Sequence, residues 1–459
     1  MDSLIFISPV VNKFLTFFRA IFGELTKPAR MSMSLLVLGI VVTSSISVRR
    51  CFQCVISKLS SKRLKSFYYL LAHGKIRLSV WSRHIVQLAL SCIPEELAAM
   101  PILLVIDDTM VEKEGSHFAY RKRMFDHSGY RLSKNKSSKS KDKGAFIDGH
   151  CFVSLLMLVP VITLNGTVAY RSIVVAQKMW TGKVSKLVMA DQLVRLTLTM
   201  LGNRQAVLLC DSWYPKGKVA KLVENINLDL ICNVRHDTAM FDRPQRPEKP
   251  GPGRPPIYGR KLTLDDFELT SVAETDYKVG CRMVRTNLFG DREVLAFVTQ
   301  KGEHGSKRLF LCTKPDACKG FLEHIQALPK GDAQHFVEAD VAFAPLAVYA
   351  MRWVIETSYL ELKTFWDFRE YRVRCKAGIE RLLNLQSLVY SVLSLLPSLG
   401  NEFSSLEGRS IQERRWQVEQ LLSRQIFLEH LARRLETDEN QLPFLKLCKE
   451  LMVQDRLAA

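Results

Sequence analysis

PILLVIDDT, residues 101–109, is a short apolar run that ends in two acids. Such a run, bounded by polar residues, reads as a strand buried on both faces with carboxylates near its C-terminal end. QAVLLCDSWYPKG, residues 205–217, repeats the pattern and again ends in an acid, Asp211. A carboxylate is costly to bury unless it is paired or holds a metal, so an Asp at the end of each of two apolar strands calls for a cation. Either Asp alone could be an ordinary turn residue; the pair carries more. Successive strand residues point to opposite faces, so only one of Asp107 and Asp108 can enter a shared site well.

Further along, YAMRWVIETSYLELK, residues 349–363, reads as a helix. At about 100° per residue, Tyr349, Arg352, Glu356 and Lys363 fall within a narrow sector of one face. A second stripe, Ile355, Tyr359, Leu362 and Trp366, supplies the apolar face that packs the helix on its domain, and Trp353 is expected in the core. In isolation the polar line could be a solvated face. Beside the two Asp-terminated strands, Glu356 becomes a third carboxylate. Asp107, Asp211 and Glu356, from separate elements, form an all-oxygen donor set suited to Mg²⁺ or Mn²⁺. Two such ions about 4 Å apart stabilise the attacking and leaving oxygens of an in-line phosphodiester displacement.

Composition points the same way. The 65 Lys+Arg outnumber the 46 Asp+Glu, a surplus of +19 that favours polyanionic partners such as phosphate backbones. A chain of 459 residues is too long for one ordinary core, and its 47% hydrophobic content excludes a largely disordered chain. The 11 Cys are scattered, and only Cys51 and Cys54 have metal-like spacing, with no second pair nearby. They read as reduced core thiols of a cytosolic protein. The longest apolar stretch, LLVLGIVV at 35–42, is well short of the roughly 20 residues that span a bilayer, so a buried helix and no membrane partner are expected. The N-terminus lacks a basic start and a convincing cleavage site, so no signal peptide is expected.

The chain divides by flavour into five segments. Residues 1–95 are apolar-helical with basic clusters at Arg49-Arg50, Lys62-Arg63, Lys65 and Trp81-Ser82-Arg83-His84, a pattern consistent with a DNA-binding helical domain. Residues 96–237 hold both Asp-terminated strands, a hairpin over 150–163 and 168–176 turning at Asn165-Gly166, an amphipathic helix at 185–201 and a strand at 228–235. A Lys/Ser-rich loop at 134–144 places Lys134, Lys136, Lys139, Lys141 and Lys143 for backbone contact without sequence reading, or in solvent. At 243–260 the chain becomes Pro-, Gly- and Arg-rich, with Arg243, Arg246, Arg254 and Arg260 as groove-tracking candidates, inside a β-rich insertion over 238–313. Residues 314–399 carry the Glu356 helix, and 400–459 form a C-terminal helical region.

Tyr349, Arg352, Glu356 and Lys363, with two, three and six residues between them, resemble the Tyr-(2)-Arg-(3)-Glu-(6)-Lys signature of bacterial insertion-sequence transposases of the DDE type. The Arg352-Trp353 and Ile355-Glu356 pairs, IDDT, DSWY and GRPPIYG resemble the same group, and the likeness runs over residues 100–390. It implies an α/β protein with an RNase H-like catalytic domain, a mixed sheet flanked by helices, interrupted by the β-rich insertion and preceded by an N-terminal helical domain. It implies that Asp107, Asp211 and Glu356 ligate two divalent ions; an Asp-x-Ser/Thr pattern common on the first strand favours Asp107 through Thr109, with Asp108 the alternative. Tyr349, Arg352 and Lys363 would hold DNA phosphates, through a hydrogen bond, a bidentate fork and a point charge. The implied function is DNA strand cleavage and transfer by a homodimer on DNA, with terminal inverted repeats and target DNA as partners. The implied setting is the bacterial cytoplasm, at the nucleoid when DNA-bound. An RNase H-like endonuclease without strand transfer and a domesticated, non-catalytic DNA-binding protein are the alternatives; the presence of all three acids argues against the last.

Overall fold

A computed structural model describes residues 8–126, 146–245 and 255–435. The lysines at 134, 136, 139, 141 and 143, together with Arg246 and Arg254, lie outside the described residues.

The apolar run before Asp107 is the centre of the sheet. Strand β1 (Ile102–Glu112) has both faces covered from Ile102 to Ile106, where every side chain is fully buried. On one side it pairs antiparallel with β3 (Phe146–Ile162), which pairs antiparallel with both β2 (Lys122–Phe125) and β4 (Val168–Met179). The β3–β4 hairpin turns where Gly166 takes φ +73°, a left-handed conformation glycine adopts at little cost. On its other side β1 pairs parallel with β5 (Ala206–Cys210), and β5 pairs parallel with β6 (Leu228–Val234). Antiparallel strands on one side of β1 and parallel ones on the other make the mixed, RNase H-like sheet that the sequence implies.

The β-rich segment continues the same sheet. Strand β12 (Arg308–Cys312) lies antiparallel on β6, followed outward by β11 (Glu293–Lys301) and β10 (Tyr277–Thr286), with short strands β7 (Met240–Phe241), β8 (Lys261–Leu262) and β9 (Thr270–Ser271) at the far edge. The arginines proposed to track a groove are tied locally here: Arg243 to Glu293 at 3.4 Å and Arg260 to Asp266 at 2.8 Å.

Helices cover the faces. The N-terminal segment folds as α1 (Pro9–Ile21), α2 (Lys27–Thr43), α3 (Leu64–His73) and α4 (Leu78–Leu90). The apolar stretch 35–42 lies inside α2, buried from Leu35 to Val41. In the Trp81-Ser82-Arg83-His84 cluster the first two residues face inward, Trp81 packing against Phe22 and the Ser82 hydroxyl donating to Val175 of β4 at 2.9 Å, while Arg83 is exposed and His84 partly so. Arg49, Arg63 and Lys65 are exposed or partly so. Among the described residues no single helix is long and apolar enough to cross a membrane. The ten cysteines among the described residues are free thiols. Cys51 lies so close to α2 that a Cβ placed on Gly39 would sit 2.5 Å from its own. Gly39→Ala is therefore expected to lower stability by about 1–3 kcal/mol through overpacking, measurable as a lower midpoint in denaturant with an unchanged slope.

β4, at the opposite edge, is sealed by side chains. α8 (Lys376–Leu395) crosses it, and Glu380, Asn384 and Ser391 accept hydrogen bonds from the backbone N–H groups of Met179, Gln177 and Val174 at 3.0, 3.0 and 2.9 Å. Positions 380, 384 and 391 share one helix face, so one helix satisfies donors that would otherwise leave an unpaired edge. The last helix, α9 (Ile411–Leu435), closes the unit: Arg414 donates to the terminal carbonyls Leu393 and Ser394 of α8, and Arg415 to Val41 of α2. Those carbonyls lack intrahelical partners, so each contact satisfies a helix end.

Candidate active site

The register of β1 and β5 decides which acids meet. Ile106 lies beside Cys210 as the last parallel pair, so Asp211 leaves β5 next to Asp107, which continues in β1 paired with β3, with adjacent strands about 4.8 Å apart. Burial in this position, with the Asp211 charge next to it, pushes the Asp107 carboxyl up to about 7. Burial raises Asp211 as well. Asp211 is held by its own turn, accepting the Trp213 N–H at 3.0 Å.

Asp108, the next residue of β1, lines the same cleft as Asp107 and Asp211 but is engaged by other partners. Its carboxylate accepts from the Lys186 ammonium at 2.6 Å, the Tyr214 hydroxyl at 2.9 Å and the Cys151 thiol at 3.2 Å. Lys186 opens α5 (Lys186–Leu201), and both members of the ion pair have side chains only 16% exposed. The arrangement ties the end of β1 to the loop after β5 and to α5.

The helix facing these strands is interrupted, where the spacing of 349–363 implies a continuous one. α6 (Ala344–Ala350) ends before α7 (Trp353–Phe365), and the junction runs through tightened turns in which the Arg352 N–H bonds Tyr349, Val354 bonds Met351 and Ile355 bonds Arg352. Three-residue turns shift the phase of everything beyond them. Trp353, expected in the core, is 63% exposed as a result, whereas Ile355, Tyr359, Leu362 and Trp366 are buried as expected.

Across this junction the polar residues reach the strand ends. Arg352 bridges the acids: one terminal nitrogen lies 3.3 Å from Asp107 Oδ2 and the other bonds Glu356 Oε1. Two tyrosine hydroxyls fasten the helices to the backbone beside the acids, Tyr349 donating to the Cys210 carbonyl and Tyr359 to the Asp107 carbonyl, each at 3.2 Å. The Tyr349 ring stands edge-on to Phe310. Lys363, two turns beyond Glu356, lines a neighbouring polar cleft of about 520 Å³ with Lys113, Arg369 and Tyr371, and burial lowers its ammonium. The structure thus brings Asp107, Asp211, Arg352 and Glu356 together and sets Lys363 to one side.

Asp107, Asp108 and Asp211 all line a cleft of about 640 Å³ with Lys122, Trp180, Lys186 and Trp213 in its walls. Lys186 lies 5.4 and 5.5 Å from the Trp180 and Trp213 ring centres, and Lys216 lies 4.9 Å from Trp213. Sequence reasoning misses the roles of Lys186, Tyr214 and Tyr359. Tyr214 stands in DSWY and Tyr359 in the apolar stripe, but nothing local marks their hydroxyls as partners of β1; Lys186 carries no pattern of its own.

Do these residues fit a divalent ion? The donors are hard carboxylate oxygens, and the Arg352 guanidinium sits between Asp107 and Glu356, where positive charge is already accepted. Among the described residues no three His, Cys, Asp or Glu side chains converge as a preformed cage. Mg²⁺ typically takes one or two carboxylates plus waters and phosphates, so a paired-Asp site suits it without such a cage.

The family model described as DDE superfamily endonuclease matches residues 22–283, a span containing Asp107, Asp108 and Asp211 but ending before Glu356. No curated protein matches the chain. Among solved structures, the piggyBac transposase in a synaptic complex with hairpin DNA, determined by cryo-EM, is 11% identical, with 99% of this chain and 84% of that chain covered at a TM-score of 0.40. With the family match spanning more than half of its length, this chain belongs to the DDE superfamily endonucleases.

Proposed function

We propose that this protein is a DNA transposase that binds element ends, cleaves DNA and joins the freed 3′-hydroxyl to target DNA. The observation that carries the reading is the placement of Asp107 and Asp211 side by side where the parallel pairing of β1 and β5 ends, with Glu356 linked to Asp107 through Arg352. Endonucleases of this superfamily use divalent ions. Here Asp107, Asp211 and Glu356 would hold Mg²⁺ or Mn²⁺, two ions in the full site; the ions polarise phosphodiester oxygens and lower the pKa of bound water or hydroxyl.

The chain's own groups divide the remaining work. Asp108 locks the strand end through Lys186 and Tyr214, leaving Asp107 as the metal-facing acid. Arg352 offers the planar fork that matches a phosphate. Tyr349, with its hydroxyl on the Cys210 carbonyl, positions the end of β5 and keeps a lone pair for a donor; Lys363 meets DNA farther from the acids, along the neighbouring cleft. Terminal inverted repeats would be read from the basic residues of the N-terminal helices, and a homodimer would bring two ends together. A bacterial cytoplasmic setting, at the nucleoid, follows from the resemblance and the reduced cysteines.

The test supplies purified protein with a supercoiled plasmid carrying the inverted repeats that flank the gene, plus Mg²⁺. End cleavage and joined products are expected with Mg²⁺ and neither with a chelator. Cleavage without joined products would favour an endonuclease lacking strand transfer. No cleavage under any divalent ion would favour a non-catalytic DNA-binding role.

A further inference from the structure

The site described above contains more anion than the chain neutralises. Asp107 and Asp211 lie side by side and Glu356 of α7 is linked to Asp107 through Arg352, which among the described residues is the side chain that touches more than one of these acids. The Asp211 carboxylate is held by the backbone, through the Trp213 N–H. The Arg352 side chain is 14% exposed, so its charge is shielded from water and committed to the two carboxylates it bridges. Any cation ligated through Asp107 Oδ2 and Glu356 Oε1 competes for the atoms the guanidinium now holds.

Displacement has a physical consequence. A guanidinium pushed off both carboxylates with nothing else to bind is left partly desolvated beside a doubly charged ion, which is unfavourable at close range. A phosphate removes that penalty, because the same two-nitrogen fork that spans the carboxylates fits phosphate oxygens. Arg352 also sits at the α6–α7 junction, where tightened turns place its Cα between two helix phases. The exposed Trp353 beside it leaves the outward side of the junction open to solvent.

We propose that Arg352 is a displaceable internal counterion, held by Asp107 and Glu356 in the free protein and transferred to a DNA phosphate when a divalent ion takes those carboxylates. The inference rests on the metal- and DNA-binding reading above and adds a coupling to it: ion and DNA each bind more tightly when the other is present, by the same factor.

The experiment titrates the full chain with Ca²⁺, a hard oxygen-seeking ion, by calorimetry with and without a short DNA duplex. For the parent, the duplex is expected to tighten Ca²⁺ binding about 10-fold, within the usual range of coupling between sites. Without DNA, Arg352→Gln should bind Ca²⁺ more tightly than the parent, because the ion no longer evicts a resident cation, and the duplex should add much less. Equal or weaker Ca²⁺ binding by the DNA-free variant overturns the proposal, since a residue that merely supports the site would lower affinity when removed. Should Arg352→Gln fail to fold, Arg352→Lys makes the same comparison: it keeps the charge but lacks the planar two-nitrogen fork that spans the two carboxylates, so it holds them less firmly and its DNA-free Ca²⁺ affinity should also exceed the parent's. If Asp211→Asn binds Ca²⁺ as well as the parent, the metal-site reading itself fails and the counterion role falls with it.

Discussion

Asp107→Asn is expected to reduce metal-dependent strand cleavage by more than about 100-fold, while Asp108→Asn keeps cleavage within about 10-fold of the parent and loses stability instead. Outer residues that orient metal ligands typically cost about 10–100-fold when removed, and a direct ligand should cost at least the upper end of that range. Asp107 stands beside Asp211 and faces Arg352, whereas the strong contacts of Asp108 are internal: Lys186, Tyr214 and Cys151. Removing one member of a buried ion pair costs about 3–5 kcal/mol because the other charge is stranded. The Asp108–Lys186 pair retains some contact with water, and the amide oxygen of the substituted side chain could still accept from Tyr214, so about 2 kcal/mol is expected. Plasmid cleavage at matched folded fractions, with denaturation curves alongside, separates the two effects. Were Asp108→Asn as inactive as Asp107→Asn while remaining folded, the choice of Asp107 over Asp108 would be wrong.

That assignment shows where sequence reading stops. Alternation along a strand says that Asp107 and Asp108 diverge, and no more; the partners that distinguish them, Lys186 and Tyr214 on Asp108 and Arg352 on Asp107, come from α5, the loop after β5 and the α6–α7 junction. The strands themselves are legible because their signals are local. β1 and β5 are apolar runs stopped by acids, and the β3–β4 hairpin is marked by Asn165-Gly166, whose glycine supplies the positive φ. Local signals also find the β-rich segment, but its attachment through β12 to β6 joins residues far apart in the chain, which period-two patterning does not encode. The 349–363 stretch fails differently. Spacing of four and seven residues fits a helix whether or not one turn tightens, so the phase slip at Met351–Arg352 is invisible, and hydrophobicity then assigns Trp353 to the interior although it faces solvent. The contact between Arg352 and Glu356 survives the slip, because their side chains still meet.

In metal-free protein, with a chelator present, Asp107→Asn is expected to be more stable than the parent at pH 8, with the advantage disappearing as the pH falls below about 4. The Asp107 carboxyl is raised from 3.8 to about 7 by burial and by the neighbouring Asp211 charge. A raised acid binds its proton more tightly in the folded state than in the unfolded one, so its contribution is fully favourable below the unfolded value. That contribution is lost as the pH rises through about 7, above which the folded chain must hold a charged, poorly solvated carboxylate. The displacement corresponds to an upper limit of about 4 kcal/mol. The side chain is 20% exposed, and Arg352 loses one of its two partners in the variant, so about 2 kcal/mol and a Tm difference of a few °C are expected. Asp211, raised in the same direction, makes the parent's stability fall as the pH rises and should leave a smaller dependence in the variant. A variant less stable than the parent at pH 8 would show that Asp107 is held by Arg352 more strongly than burial opposes it. Saturating Mg²⁺ should reverse the order, because a ligand that binds only the folded state stabilises it more the tighter it binds, and the amide that replaces the Asp107 carboxylate offers that ion a weaker oxygen; the same carboxylate would then cost stability in the free protein and supply it in the metal-bound one.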